Sequence, residues 1–249
     1  MAERTPPAFY AREGSPFADW WTLLHPPYTL WHLSYVVLGA AVAPGRDWGA
    51  LGLSILAFFL AVGVAAHALD ELQGRPLRTR ISDRTLWVVA GLALLGAIAL
   101  GFVGVVLWGP VNLPLAVTIP VGAVLVLGYN LELFGGRLHT DWVFAAGWGG
   151  FPVVVGFVAQ SPDYTVRTLV AATAAALGGV ATSYAQRHLS TAARALRRRT
   201  RSVAGTSTDL DGTVTPLDRA VLLRPLEGGL RAMSWAVPLI AVAVLVAGS

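Results

Sequence analysis

Seven long apolar runs dominate the sequence, at about residues 28–43, 49–70, 86–108, 110–128, 141–160, 166–187 and 232–248. A helix needs roughly 20 apolar residues to cross the hydrocarbon core of a bilayer, and most of these runs approach that length. The first and last are short and call for local thinning or interfacial anchors. With 55% hydrophobic residues, 13% charged residues and a mean hydropathy of +0.62, no soluble globule accounts for the 249 residues. The expected fold is all-α, a polytopic membrane bundle of about seven transmembrane helices forming one domain over residues 28–249. Pro110, Pro114 and Pro120 fall in or beside the fourth run and predict a kink there.

Arginine placement orients this bundle. The N-terminal stretch, the 71–85 loop, the 135–140 loop and the 187–231 stretch together hold sixteen arginines, whereas the alternate connections hold only Arg46 and Arg167. The positive-inside rule then places the N-terminus in the cytoplasm and the C-terminus outside. The expected location is a bacterial or archaeal cytoplasmic membrane. Residues 1–27 carry charges without an apolar core, so they read as a cytoplasmic segment and not as a signal peptide. Within it, Phe17 to Leu24 predicts an interfacial helix with Trp20 and Trp21 at headgroup depth. The polar stretch at about 188–231 reads as a cytoplasmic loop, broken by Gly205, Gly212 and Pro216. The net charge of +4 and pI near 10.0 follow from these loops and imply no nucleic-acid partner.

Chemistry concentrates in His67 to Ser82, HALDELQGRPLRTRIS, where an apolar run ends in a histidine, two carboxylates and a burst of arginines. His67, Asp70 and Glu71 stand at i, i+3 and i+4, so a continuous helix puts them on one face. Ionisable groups this close to a bilayer must find partners or water, which makes them functional candidates. There is no cysteine, hence no thiolate ligand or nucleophile, and no lysine, hence no Schiff base. The basic residues are all arginine, suited to bidentate contacts with phosphate or carboxylate.

The order of these features resembles the UbiA-type prenyltransferase superfamily, intramembrane enzymes that attach isoprenoid chains to acceptors. Four stretches carry the likeness. LLHPPYTLWHLSYVVLGA (Leu23 to Ala40) is similar to the family's first helix. RPLRTRIS (Arg75 to Ser82) resembles the element that follows its first aspartate-rich motif. YNLELFGGR (Tyr129 to Arg137) stands in place of a tyrosine-containing connection, and YAQR (Tyr184 to Arg187) stands where the second acidic motif belongs. The chain departs from the family in three ways. Only Asp70 and Glu71 remain of the first acidic motif, residues 184–208 contain no carboxylate, and seven spans replace the usual nine.

The resemblance implies an enzyme acting on an isoprenoid or lipid substrate in a cytoplasm-facing pocket, diverged from ordinary magnesium-dependent prenyl transfer because two carboxylates are too few for the usual metals. His67, Asp70 and Glu71 are the expected catalytic groups. Arg75, Arg78, Tyr129, Asn130, Tyr184 and Arg187 are the expected substrate contacts, with Tyr129 and Asn130 read alternatively as hydrogen bonds between helices. Arg194, Arg197, Arg198 and Arg199 offer a further clamp for an anionic headgroup, or a solvated basic flank. A divalent metal (magnesium, zinc or iron) on His67, Asp70, Glu71, Glu132, His139 and His188 is a further expectation. Two other classes stay open: a histidine/carboxylate metal-dependent oxidoreductase or hydrolase of membrane lipids, and a non-catalytic membrane assembly partner of another protein.

Overall fold

The computed structural model describes residues 6–107, 111–160 and 163–248; Trp108 and Pro110 lie outside them. The described residues form a helical bundle in which six helices are long and apolar enough to cross a membrane. A short helix α1 (Pro16–Leu23) leads into α2 (Pro26–Ala41). Then follow α3 (Trp48–Leu72), α4 (Asp83–Leu107), α5 (Leu113–Asn130), α6 (Asp141–Val158), α7 (Val166–Arg198) and α8 (Arg219–Ala247). An antiparallel hairpin of β1 (Gly205–Thr208) and β2 (Val214–Leu217) separates the last two helices.

The first apolar run becomes α2, whose 16 residues span about 24 Å at 1.5 Å per residue, less than a hydrocarbon core. It is nevertheless central, since Trp31, Tyr35, Val36 and Ala40 are buried. It lies against α6 at backbone contact: a Cβ added at Gly39 would stand 2.0 Å from the Val153 carbonyl oxygen, and one at Gly156 would stand 2.1 Å from that of Val36. Helices in lipid gain little from hydrophobic exclusion and associate through such small-residue seams. Conversely, Leu92, Leu95, Phe102 and Val106 of α4 are exposed, as a face turned to acyl chains requires.

Caps set the helix ends. Ser15, Asp47, Asn112, Thr165 and Asp218 each accept a backbone N–H in the first turn of the helix that follows. Asn112 also donates to the Val158 carbonyl, tying the start of α5 to the end of α6. Pro114 sits in the first turn of α5 and Pro120 inside it. At the end of the bundle far from the arginine-rich loops, Arg46 donates to the Leu245 and Gly248 carbonyls and so caps α8. Its fork closes the ring between the 42–47 connection and the final helix.

The 188–231 region is mostly not a loop. Helix α7 continues through the arginines, because alanine, leucine and arginine keep high helix propensity after hydropathy has fallen. The Asp211-Gly212 step then turns the hairpin, with Gly212 at φ +86°. Helix α8 starts at Arg219, so the last helix is 29 residues long and extends well before its apolar run.

Candidate functional site

A polar cavity of about 300 Å³ lies at the arginine-rich end of the bundle, where α2, α3, α5, α6 and α7 converge. From the sequence-selected residues it gathers His67, Asp70, Tyr129, Asn130, Glu132, His139 and Arg187. Three helices widen beside it into π-helical turns: Phe59–Ala66 before His67, Ala146–Gly150 around Trp148, and Ala195–Arg199 around Arg198. Such turns rotate the side chains beyond them relative to a regular helix and occur often at functional sites.

The histidines share one hydrogen-bonding pattern. Nδ1 of His32 lies 2.8 Å from the Trp148 carbonyl, that of His67 3.0 Å from Gly63 O, and that of His139 3.0 Å from Tyr129 O. A carbonyl oxygen only accepts, so each Nδ1 carries a proton, and whenever such a ring is neutral its lone pair is on Nε2. In His139 that lone pair is taken, since Arg187 Nη2 donates to it at 3.3 Å while Arg187 Nε donates to Asp141 at 2.9 Å. Nε2 of His32 and of His67 has no partner among the described residues.

His25 packs against His67 with ring centroids 4.1 Å apart and planes tilted by 33°. It adopts a left-handed φ of +47°, a strained conformation for a non-glycine residue. Burial pushes its imidazole well below the ordinary histidine range, and His67, Arg198 and Arg194 push the same way. Three buried polar atoms on the cavity wall lack a hydrogen-bond partner among the described residues: His25 Nε2, Tyr129 Oη and Gln186 Oε1. Each costs about 1–3 kcal/mol when desolvated and unpaired, so the wall is built to meet polar groups that enter it.

Neighbouring residues in sequence part company here. Asp70 lines the cavity with no hydrogen bond or ion pair to its carboxylate among the described residues. Glu71, expected to be catalytic and a metal ligand, is fully buried elsewhere. Its oxygens accept from Leu77 N, Thr79 N and Thr79 Oγ1, each at 2.9 Å, which makes it the organiser of the loop after α3. That loop carries Arg75 and Arg78 away from the cavity. Both take positive φ; Arg75 pairs with Asp83 and the Ile81 carbonyl, and Arg78 faces a separate surface hollow beside Asp19. Tyr184 and His188 occupy a different face of α7, where Tyr184 stacks on Trp142 at 4.5 Å and His188 stands 3.9 Å from Asp141. Among the described residues no three histidine, aspartate or glutamate side chains group as a metal site.

Of the expected basic clamp, Arg194, Arg198 and Arg199 line the cavity and Arg197 does not; Gln186 and Ser190, which no motif marks, join them on α7. Gln186, Ser190, Arg194 and Arg198 recur at every fourth position and all line the cavity. That spacing was visible in the sequence, although the flanking alanines and arginines masked it. Beyond Trp148 the cavity adjoins an apolar cleft of about 100 Å³, bounded by α3, α4, α5 and α6 through side chains such as Phe58, Ile98, Leu115 and Ile119. Trp148 belongs to both walls and stacks on Phe144, with ring planes 11° apart. A charged-to-apolar step within one tryptophan's width suits an amphiphile with an anionic head.

No family model, curated protein or solved structure matches the chain.

Proposed function

We propose that the chain is a UbiA-like integral membrane enzyme acting on an isoprenoid or lipid amphiphile, with the arginine-rich cavity facing the cytoplasm. The observation that carries this reading is the convergence of His67, Asp70, Tyr129, Asn130 and Arg187 from three helices onto one polar cavity that abuts an apolar cleft. In this reading the cleft takes the hydrocarbon tail, and the polar end takes the head. His67, with Nδ1 fixed on Gly63, holds a lone pair at the cavity beside the unpaired Asp70, an arrangement for moving a proton. Tyr129 and Gln186 contribute the unpartnered Oη and Oε1 that orient a polar head. Arg187 is fixed by Asp141 and lends positive charge without needing to move.

Untargeted lipid mass spectrometry of membranes making the wild-type chain, compared with Asp70→Asn and His67→Ala variants of equal abundance, tests the reading. One isoprenoid or lipid class should accumulate or disappear with the wild type alone. Identical profiles for all three chains would remove the enzymatic proposal and leave a bundle that binds without reacting.

A further inference from the structure

Resting on that reading of the cavity, we infer that it binds the phosphate-bearing head of its amphiphile directly through Arg194 and Arg198, with no divalent metal between protein and phosphate. The family resemblance implies magnesium held by clustered carboxylates, and the residues present do not fit such a cluster. Asp70 and Glu132 are the carboxylates on the wall, and they belong to no grouped set of ligands among the described residues. The other acids nearby are spoken for. Asp141 holds Arg187, Glu227 holds Arg197, and Glu71 holds the backbone of residues 77–79.

The cations are arranged the other way. Arg194 and Arg198 stand one turn apart on the cavity face of α7, and among the described residues neither has a carboxylate within ion-pair reach. Arg197, between them in sequence, is gripped by both oxygens of Glu227 and so is committed to the packing of α7 on α8. Among the described residues Arg198 is held through Nε alone, which donates to the Pro7 carbonyl at 3.0 Å. Its two terminal nitrogens make no hydrogen bond among the described residues and can meet a ligand. Arg194 uses Nε on the Ser190 carbonyl at 3.2 Å, and Nη2 makes weak contacts with the Ser190 and Thr191 hydroxyls. Two half-buried guanidinium groups with no paired carboxylate among the described residues repel each other until an anion joins them, and phosphate oxygens match both forks. The unpartnered Tyr129 Oη and His25 Nε2 lie on the same wall, ready for the remaining oxygens or a phosphate hydroxyl.

The test is isothermal titration of the full chain in detergent with farnesyl diphosphate and, separately, inorganic pyrophosphate, each in excess EDTA and again in excess magnesium. Farnesyl diphosphate should bind in EDTA with a Kd within about two-fold of that in magnesium. Arg194→Gln and Arg198→Gln should each weaken it by about ten-fold or more, on the order of one lost charge-assisted hydrogen bond. Tighter binding of farnesyl diphosphate than of pyrophosphate identifies a lipid head as the occupant, and equal affinities identify a free diphosphate; both support the arginine site. Binding that appears only with magnesium and is lost in Asp70→Asn overturns the inference while leaving the proposed enzyme intact. Unchanged affinity in folded arginine variants, or no binding of either ligand in either buffer, overturns it too, and the lipid profiles then judge the enzyme separately. Should Arg198→Gln fail to fold, Arg198→Lys carries the test, because it keeps the charge and removes the fork.

Discussion

Replacing Glu71 with glutamine separates a carboxylate that builds the site from one that works in it. Glu71 is fully buried and accepts three hydrogen bonds of 2.9 Å from Leu77 and Thr79. A glutamine oxygen can keep the two bonds to Thr79, but its amide then points N–H groups at the Leu77 N–H, donor against donor. One unsatisfied buried N–H and two bonds that lose their charge assistance sum to a destabilisation of about 2–4 kcal/mol. For a chain of this size each kcal/mol lowers Tm by about 2–4 °C, so the variant should melt on the order of 5–15 °C below wild type. Asp70→Asn removes no hydrogen bond or ion pair among the described residues and should melt within about 1 °C of wild type, as surface-like substitutions do. Tryptophan fluorescence melts in detergent measure both, and lipid profiling of the same variants should show turnover lost with Asp70 but retained, at lower yield, with Glu71→Gln. A Glu71→Gln protein that melts like wild type yet makes no product would refute the division of labour between the two acids.

Other consequences are as direct. Gly156→Ala places a methyl group 2.1 Å from the Val36 carbonyl oxygen, which no rotamer relieves. It should cost about 2–4 kcal/mol in reversible SDS unfolding, at the upper end of overpacking. Gly52→Ala, which meets nothing within 4 Å, should instead be neutral or stabilising. His25 gives a pH signature, because burial holds its folded-state pKa well below 6.5 and the unfolded chain alone takes up the proton as pH falls past that value. Stability present above the unfolded pKa should therefore decline below it by up to about 1.4 kcal/mol per pH unit, and His25→Gln should flatten that slope.

Much of this architecture was legible in the sequence, and the exceptions have physical causes. The apolar runs located every long helix, since crossing a bilayer leaves little freedom in length or composition. Hydropathy ended α7 too early and began α8 too late, because arginine and alanine extend a helix as readily as they leave a membrane. The hairpin is foreshadowed by Asp211-Gly212 between Thr206-Ser207-Thr208 and Thr213-Val214-Thr215, where the breakers alone predict a loop. Within the candidate site, helical spacing joined His67 to Asp70 correctly, but successive residues lie about 100° apart around a helix, and the cavity edge falls between Asp70 and Glu71. No periodicity could show that. Arg75 and Arg78 were drawn into the site by their place in a family-like element, whereas the positive φ at both positions turns the loop outward. On α7 the arginine run marks Arg194 and Arg198, and their four-residue spacing alone adds Ser190 and Gln186.

The absence of cysteine from the whole chain makes one measurement especially direct. Thr191→Cys introduces a lone thiol on an exposed position of the cavity wall, and Leu210→Cys introduces one at the exposed hairpin tip. Labelling of each with a charged methanethiosulfonate reagent is timed with and without farnesyl diphosphate at about ten times its Kd, where occupancy near nine-tenths follows from mass action. If the cavity is where the amphiphile's head resides, labelling at position 191 slows by about ten-fold while labelling at 210 keeps its rate. Equal rates at 191 with and without saturating ligand would place the binding site elsewhere on the molecule.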